Sequence, residues 1–167
     1  MLRVFLKPGE YHIANQPMLI ETLVGSCVSV CLYNVSSGHA AMNHFLRDRP
    51  LTGETDNVGE FGTTSTSYII DNLLAIDRAS SHYRAQIIGG ASVLDSNLSM
   101  RGIGEANVVA ALETLKAAGI AIMNEDIGGV KGRRIQFDTQ TGTVMRRFAG
   151  KVGSKVHWAQ WPMRRTK

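Results

Sequence analysis

The chain has 167 residues, of which 44% are apolar and 19% charged, so its length and composition are typical of one globular domain and exclude a disordered protein. Its net charge of +4 is uneven: residues 146–167 hold seven basic residues and no acidic one, whereas the first 145 residues carry 11 basic and 14 acidic residues. Two cysteines exclude a disulfide-dense secreted scaffold, and neither a signal peptide nor a membrane-spanning apolar run is recognisable, so we expect a cytoplasmic protein with free thiols.

The N-terminal third has the pattern of β-structure. Met18–Thr22 is a short candidate strand. Apolar residues alternate with smaller or polar ones over Val28–Tyr33, which predicts a strand with one face in the core. A polar turn, Asn34–Gly38, separates it from Ala40–Leu46, so we expect these two strands to form a hairpin.

The rest of the chain alternates between helices and strands. Residues 47–63 are loop-like, and Thr64–Asp77 has apolar residues at helical spacing, with Thr and Ser residues available as N-caps. The clearest helix is Gly104–Ala118, which ends before Gly119. Further strands are predicted at Arg84–Ile88, Ile120–Asn124, Arg134–Phe137 and Thr143–Phe148. The order of elements favours an α/β or α+β domain with a mostly β core.

The C-terminal segment differs from the rest in composition. Residues 149–167 lack periodicity and place Trp158 and Trp161 among basic residues. We therefore divide the chain into a domain at 1–148 and a basic tail at 149–167, which we expect to be a solvated, partly disordered terminus. A tail that docks on an acidic partner is the alternative. Nucleic-acid binding through the tail has no recognised motif to support it.

The segment around Cys27 carries the clearest chemical signal. Gly25 and Ser26 precede Cys27 at the start of a predicted strand, where a thiol is accessible enough to react. Backbone N–H groups in such a turn can point at a developing oxyanion, so Gly25 and Ser26 are candidates for positioning a substrate. Cys31 lies within an apolar pattern, and we expect it to be buried.

A nucleophilic cysteine needs a base, and His44 is the candidate. With the hairpin turn centred near Ser36, residue 27 pairs near residues 44–45, so Cys27 and His44 are expected to be cross-strand neighbours. The imidazole also needs an orienting group, and the hydroxyl of Thr22, just before the cysteine turn, can accept its N–H.

Metal and phosphate sites are disfavoured. Cys27 and Cys31 lie four residues apart on one strand, about 13 Å, which is too far for shared zinc ligands together with His39 and His44. The pairs Gly89-Gly90 and Gly128-Gly129 lack the spacing of phosphate-binding loops, and we expect them to provide close backbone packing or turn geometry around a cleft.

Several ordered motifs resemble the CheD family of chemoreceptor glutamine deamidases. They are Thr22–Tyr33, Met42–Phe45, Ile88–Ala91, Ile103–Asn107, Asn124–Gly129 and Gly132-Arg133, which together extend the resemblance over roughly residues 1–148. A basic residue expected after the Gly-Gly-Ala segment is replaced by Ser92-Val93-Leu94. The resemblance implies a compact single α/β domain of packed mixed β-sheets, flanked by about two to three helices.

The resemblance also implies an activity. Cys27, His44 and Thr22 would form a Cys-His-Thr triad that hydrolyses glutamine side chains on methyl-accepting chemoreceptors through a thioester, with no cofactor and no metal. A CheC-type phosphatase is implied as a second partner, and no nucleic acid or membrane insertion is expected. The alternatives are a non-catalytic adaptor that binds a phosphatase or receptor, and, on the chemistry alone, a cysteine peptidase.

Overall fold

Two five-stranded β-sheets form the framework of the chain in a computed structural model, which describes residues 1–51, 57–92, 102–150 and 155–164. The strands are β1 (Leu2–Phe5), β2 (Tyr11–Ala14), β3 (Met18–Val24), β4 (Val28–Asn34), β5 (Ala40–Asn43), β6 (Tyr83–Gly89), β7 (Ala121–Ile127), β8 (Arg133–Asp138), β9 (Thr143–Phe148) and β10 (Ala159–Pro162). The helices are α1 (Gly62–Ile76) and α2 (Ile103–Ala117), with 3₁₀ turns at Val58–Glu60 and Ser80–His82.

The two sheets pack face to face, with the helices outside. Sheet A has the order β1-β3-β8-β9-β10, and sheet B has the order β2-β5-β4-β6-β7. One apolar cluster, which includes Ile20, Cys31, Met42 and Phe137, lies between the sheets. A second cluster packs α1 and α2 against the other face of sheet B. Each sheet contains one parallel pair among antiparallel ones, which confirms the expected α/β domain of packed mixed sheets with flanking helices.

The predicted β4–β5 hairpin is present. Every residue of β4 is buried, so the expectation of a single core-facing side is wrong for this strand. The physical reason is that β4 is the central strand of sheet B and is covered by sheet A on one face and by the helices on the other. Small and polar residues can occupy the buried positions because they find hydrogen-bond partners, as Ser29 does with the carbonyl of Asn43.

The observed bounds of helix α2 agree with the predicted helix, whereas helix α1 begins earlier than predicted and without the predicted kind of N-cap. Lys116 lies in the last turn of α2, and Gly119 follows with a φ of 70°, as a helix C-terminus favours. Helix α1 begins after Phe61, with no side-chain cap, so the expected Thr or Ser N-cap is wrong. Ser65 and Thr66 instead turn inward and accept hydrogen bonds from the amide of Asn43.

Three strands are absent from the sequence-based prediction: β1, β2 and β10. Strand β10 pairs antiparallel with β9, and Met163, which follows it, is buried. The expectation of a solvated terminus is therefore wrong for residues 159–163.

Some residues discussed from the sequence lie outside the described ranges. They are the basic tail residues Lys151, Arg165 and Lys167, and also Val93 and Leu94, which stand where the resemblance predicts a basic residue. In the described ranges, neither helix has the length and apolarity needed to cross a membrane.

Candidate active site

A hydrogen bond joins Thr22 on sheet A to His44, which directly follows β5 of sheet B. The distance between Thr22 Oγ1 and His44 Nδ1 is 2.7 Å, and both side chains are buried. The Thr22 hydroxyl donates its hydrogen to the carbonyl of Leu6 at 2.7 Å. Because a hydroxyl has only one hydrogen, Thr22 must accept from His44, and Nδ1 therefore carries the imidazole proton. In the neutral ring, Nε2 is then the basic nitrogen.

The basic nitrogen of His44 is poised to accept a proton. Nε2 is buried and has no hydrogen-bond partner among the described residues. Burial lowers the pKa of His44 from 6.5 to about 4, against smaller raising effects from the Leu6 carbonyl and the charge of Glu10. The imidazole is therefore neutral at pH 7, which is the protonation state that a general base requires.

Cys27 lies in the bend between β3 and β4 and is only partly buried, at the margin of the cluster between the sheets. Burial raises the pKa of its thiol above the ordinary 9.0, although the backbone amide of Cys27 opposes the shift. The thiol is protonated at neutral pH and needs a base to become a nucleophile. Cys31 is fully buried, as predicted, and burial raises the pKa of its thiol to about 12.

The register of the hairpin differs from the prediction. Tyr33 pairs with Ala40, and a bridge between Val28 and Phe45 continues that register, so Leu46 and not His44 lies opposite Cys27. The difference arises because the turn is centred between Ser36 and Ser37. Cys27 and His44 flank the Val28–Phe45 bridge at the two diagonal positions, for which a regular sheet has a Cα separation of about 7–8 Å. The structure brings Thr22 and His44 into contact, whereas the Cys27 thiol forms no hydrogen bond with Nε2.

Three backbone carbonyl groups in the bend around Cys27 accept hydrogen bonds from neighbouring segments. Those of Gly25 and Cys27 accept from the amides of Ala91 and Gly90, each at 2.9 Å, and that of Ser26 accepts from the side chain of Asn107 at 3.0 Å. In a trans peptide the N–H points away from the preceding carbonyl. The N–H groups of Ser26 and Cys27 thus point away from the groups that donate to these carbonyls, and neither N–H donates to another described residue.

Asn107 links the two segments that carry the candidate nucleophile and base. Its buried amide donates to the carbonyl of Ser26, next to Cys27, and to the carbonyl of Leu46, two residues after His44, at 3.0 and 2.9 Å. Asn107 belongs to the motif Ile103–Asn107, which resembles the family but does not by itself indicate a role for this residue. Its position one residue before Val108, on the buried side of a helix, was the available signal.

Two further contacts fix the surroundings of the site. Asn43 accepts the N–H of Val30 at 2.7 Å and donates to α1, which anchors the residue before His44. Gly89, at a φ of 125°, lies so close to the bend that a Cβ there would stand 2.3 Å from the Cys27 carbonyl oxygen. The expected close packing is confirmed at Gly89-Gly90. It is wrong for Gly128-Gly129, where a Cβ would meet no described atom within 4 Å and the φ values of 76° and 71° indicate the alternative role in turn geometry. Within the described ranges, no three His, Cys, Asp or Glu side chains gather as a metal site.

Comparisons with known proteins give a consistent result. A family model described as CheD chemotactic sensory transduction matches residues 46–148, a range that begins after His44. A protein of Geobacter sulfurreducens named "Probable chemoreceptor glutamine deamidase CheD 2" is 34% identical over 142 residues, which cover 85% of this chain and 87% of that protein. A similarly named CheD protein of Trichlorobacter lovleyi is 35% identical over 144 residues, or 86% of this chain and 88% of the relative.

Proposed function

The chain belongs to the CheD family, and on that premise we propose that it converts glutamine side chains of chemoreceptors to glutamate, with Cys27 as the nucleophile. The relatives' names supply the substrate class. The observation that carries the mechanism is the Thr22–His44 hydrogen bond. It leaves Nε2 as a buried, neutral base, without a hydrogen-bond partner among the described residues, on the sheet face that Cys27 shares.

The proposed reaction begins with transfer of the thiol proton from Cys27 Sγ to Nε2 of His44. Because the two groups are diagonal neighbours, we propose that rotation of the Cys27 side chain on substrate binding closes the gap, as catalytic hydrogen bonds often tighten only in the substrate complex. The thiolate attacks the carbonyl carbon of the glutamine amide, and the N–H groups of Ser26 and Cys27 donate to the oxyanion. Gly25 contributes its carbonyl to the anchoring of the bend.

The second half of the cycle returns every proton. The imidazolium of His44 protonates the amide nitrogen, ammonia leaves, and a thioester joins Cys27 to the receptor. His44 then takes a proton from water, the hydroxide attacks the thioester, and the thiolate leaves and is reprotonated by the imidazolium. Thr22 accepts from Nδ1 throughout and stabilises the transient imidazolium. These steps use a thiol, an imidazole and water, and need no cofactor.

The test is incubation of a purified chemoreceptor cytoplasmic fragment with the protein, followed by ammonia assay and intact-mass measurement. We expect a gain of about one dalton per converted glutamine, with the chain uncleaved, because an amide is replaced by an acid. Cys27→Ala and His44→Ala should abolish conversion. Cys31→Ala is the matched control, since it removes the other thiol, and it should retain activity.

Other outcomes of this experiment favour the alternatives. Receptor or phosphatase binding without ammonia release would indicate a non-catalytic adaptor, and receptor cleavage would indicate a peptidase. Binding of a CheC-type phosphatase stays a prediction from the family resemblance. We propose a cytoplasmic location as well, because the proposed substrate is the cytoplasmic domain of a chemoreceptor.

A further inference from the structure

A series of hydrogen bonds continues from His44 beyond Thr22 to a carboxylate at the surface. The Thr22 hydroxyl donates to the carbonyl of Leu6 at 2.7 Å. The N–H of the same peptide unit, which belongs to Lys7, donates to Glu10 Oε2 at 2.8 Å. The N–H and the carbonyl of a trans peptide point in opposite directions, so the series passes through this unit from one side to the other. We call the bonds from His44 through Thr22 and the Leu6–Lys7 peptide to Glu10 the relay. The side chains of Lys7 and Glu10 are exposed.

The backbone of Glu10 is itself bound to His44. Gly9 donates its N–H to the carbonyl of His44 at 2.8 Å, and His44 donates its N–H to the carbonyl of Glu10 at 2.9 Å. With Gly9 at a φ of 87°, this pattern is a G1 β-bulge, and bulges are common next to active sites. The N–H of Glu10 donates to the carbonyl of Lys7 at 3.0 Å, which closes the turn. The hydrogen bonds that hold His44 therefore also hold the residue that carries the carboxylate.

A carboxylate at the end of the relay strengthens the other bonds in it. Resonance couples the N–H of a peptide unit to its carbonyl, so an anion that accepts from the N–H makes the carbonyl oxygen a better acceptor. A stronger bond to the Leu6 carbonyl in turn makes the Thr22 oxygen a better acceptor for the Nδ1–H of His44. The charge of Glu10 also raises the pKa of His44, against the larger lowering by burial. Both effects favour the imidazolium form of the ring.

Two other carboxylates near the site are engaged elsewhere. Glu60 pairs with Arg47 at 3.8 Å. Glu21 precedes Thr22 on β3, so its side chain lies on the opposite face of the strand, where it is 3.6 Å from Arg3. Neither of these carboxylates belongs to the relay.

We propose that Glu10 is a positioning residue that stabilises the imidazolium of His44. Its charge acts through the Leu6–Lys7 peptide and the Thr22 hydroxyl. This inference rests on the proposed function, because it concerns the charge that His44 acquires in that reaction. The carboxylate takes no proton, since the Nδ1 proton stays on His44. In triads with a carboxylate in direct contact with the imidazole, the same stabilisation comes from one hydrogen bond.

The test is a double-mutant cycle of Glu10→Gln and Thr22→Val, with kcat for ammonia release as the readout and circular dichroism to confirm folding. The glutamine keeps the shape and an acceptor for the Lys7 N–H but lacks the charge. We expect Glu10→Gln alone to lower kcat by about three- to tenfold and to shift the acid limb of the pH profile to lower pH, because the imidazolium is less stable. In Thr22→Val, where the relay is cut, the same substitution should lower kcat by less than about twofold. Glu60→Gln is the matched control, since it removes a carboxylate outside the relay, and it should keep kcat within about twofold.

An unchanged kcat and an unchanged acid limb in Glu10→Gln would overturn the proposal, because a merely structural role needs only the acceptor. An equal fall in kcat with and without Thr22→Val would also overturn it, since the charge would then act through space. A fall as large in Glu60→Gln would reduce the effect to one of net charge.

Titration of His44 by NMR in the free protein separates this inference from the proposed function. If Glu10→Gln lowers the pKa of His44 only while Thr22 is present, in a protein that releases no ammonia, the proposed function alone is refuted. If the protein releases ammonia and Glu10→Gln leaves the pKa of His44 unchanged, this inference alone is refuted.

Discussion

Replacing Thr22 by valine removes the hydroxyl that orients His44 while keeping the shape of the side chain. Two buried hydrogen bonds of 2.7 Å are lost, and the Nδ1–H of His44 and the carbonyl of Leu6 are left without their partner. A buried polar group without a partner costs about 1–3 kcal/mol, so we expect the free energy of unfolding to fall by about 2–4 kcal/mol.

The catalytic effect follows from the charge that His44 acquires. A hydrogen bond to a charged group contributes about 1.5–3 kcal/mol, and the Thr22 bond is strongest while the ring is an imidazolium. Loss of that contribution in the transition state predicts a fall in kcat of about 10- to 100-fold, since about 1.4 kcal/mol corresponds to a factor of ten. Thr22→Ser keeps the hydroxyl and should retain kcat within about threefold.

The assay is ammonia release from a receptor fragment at saturating concentration, with circular dichroism to confirm folding. A merely structural role would not alter the titration of His44. In Thr22→Val the acid limb of the pH profile should shift to lower pH, because the imidazolium loses an acceptor. A folded Thr22→Val protein with unchanged kcat, or a Thr22→Ser protein that is equally impaired, would refute the reasoning.

Three further predictions follow from the site. Burial lowers the pKa of His44 to about 4, so the imidazole is a neutral base above that pH and is protonated below it. We therefore expect kcat/KM to be level between about pH 6 and pH 8 and to fall below about pH 5. A midpoint of the acid limb near pH 6.5 would contradict this prediction. Asn107→Leu removes the donor to the carbonyls of Ser26 and Leu46. We expect the free energy of unfolding, measured by urea denaturation, to fall by about 2–4 kcal/mol, and kcat, measured by ammonia release, to fall as well. If both values were unchanged, Asn107 would not link the segments that carry Cys27 and His44. Gly89→Ala forces a Cβ against the Cys27 carbonyl and should cost at least about 3 kcal/mol. Gly128→Ala, at a φ of 76° in open space, should cost only about 1–2 kcal/mol, and equal melting temperatures for the two variants would contradict the packing argument.

Local patterns account for the elements that were predicted correctly. The β4–β5 hairpin and helix α2 follow from alternation, from a polar turn and from the glycine after the helix, all of which are signals within a few residues. Strand β10 could not be predicted in this way, because it exists through pairing with the edge of β9. Strands β1 and β2 have only four residues each.

In the candidate site, too, local sequence patterns predict some features, whereas others depend on contacts between residues that are distant in sequence. Cys27 and His44 were identified from residue types and hairpin geometry, but their register depended on the centre of the turn, which a small shift changes. Asn107 contacts the carbonyls of Ser26 and Leu46, which are distant in sequence, and such contacts depend on how α2 packs on sheet B. The inward turn of Ser65 and Thr66 likewise depends on Asn43 lying beneath α1.

The most direct test of Cys27 as the nucleophile of a hydrolytic deamidation is peptide mass analysis of a receptor cytoplasmic fragment incubated in heavy-oxygen water. The account predicts that the wild-type protein and Cys31→Ala convert specific glutamines to glutamates that each carry one heavy oxygen atom, and that Cys27→Ala leaves the same glutamines unchanged. Conversion by Cys27→Ala at the wild-type rate, or glutamates without heavy oxygen, would contradict it.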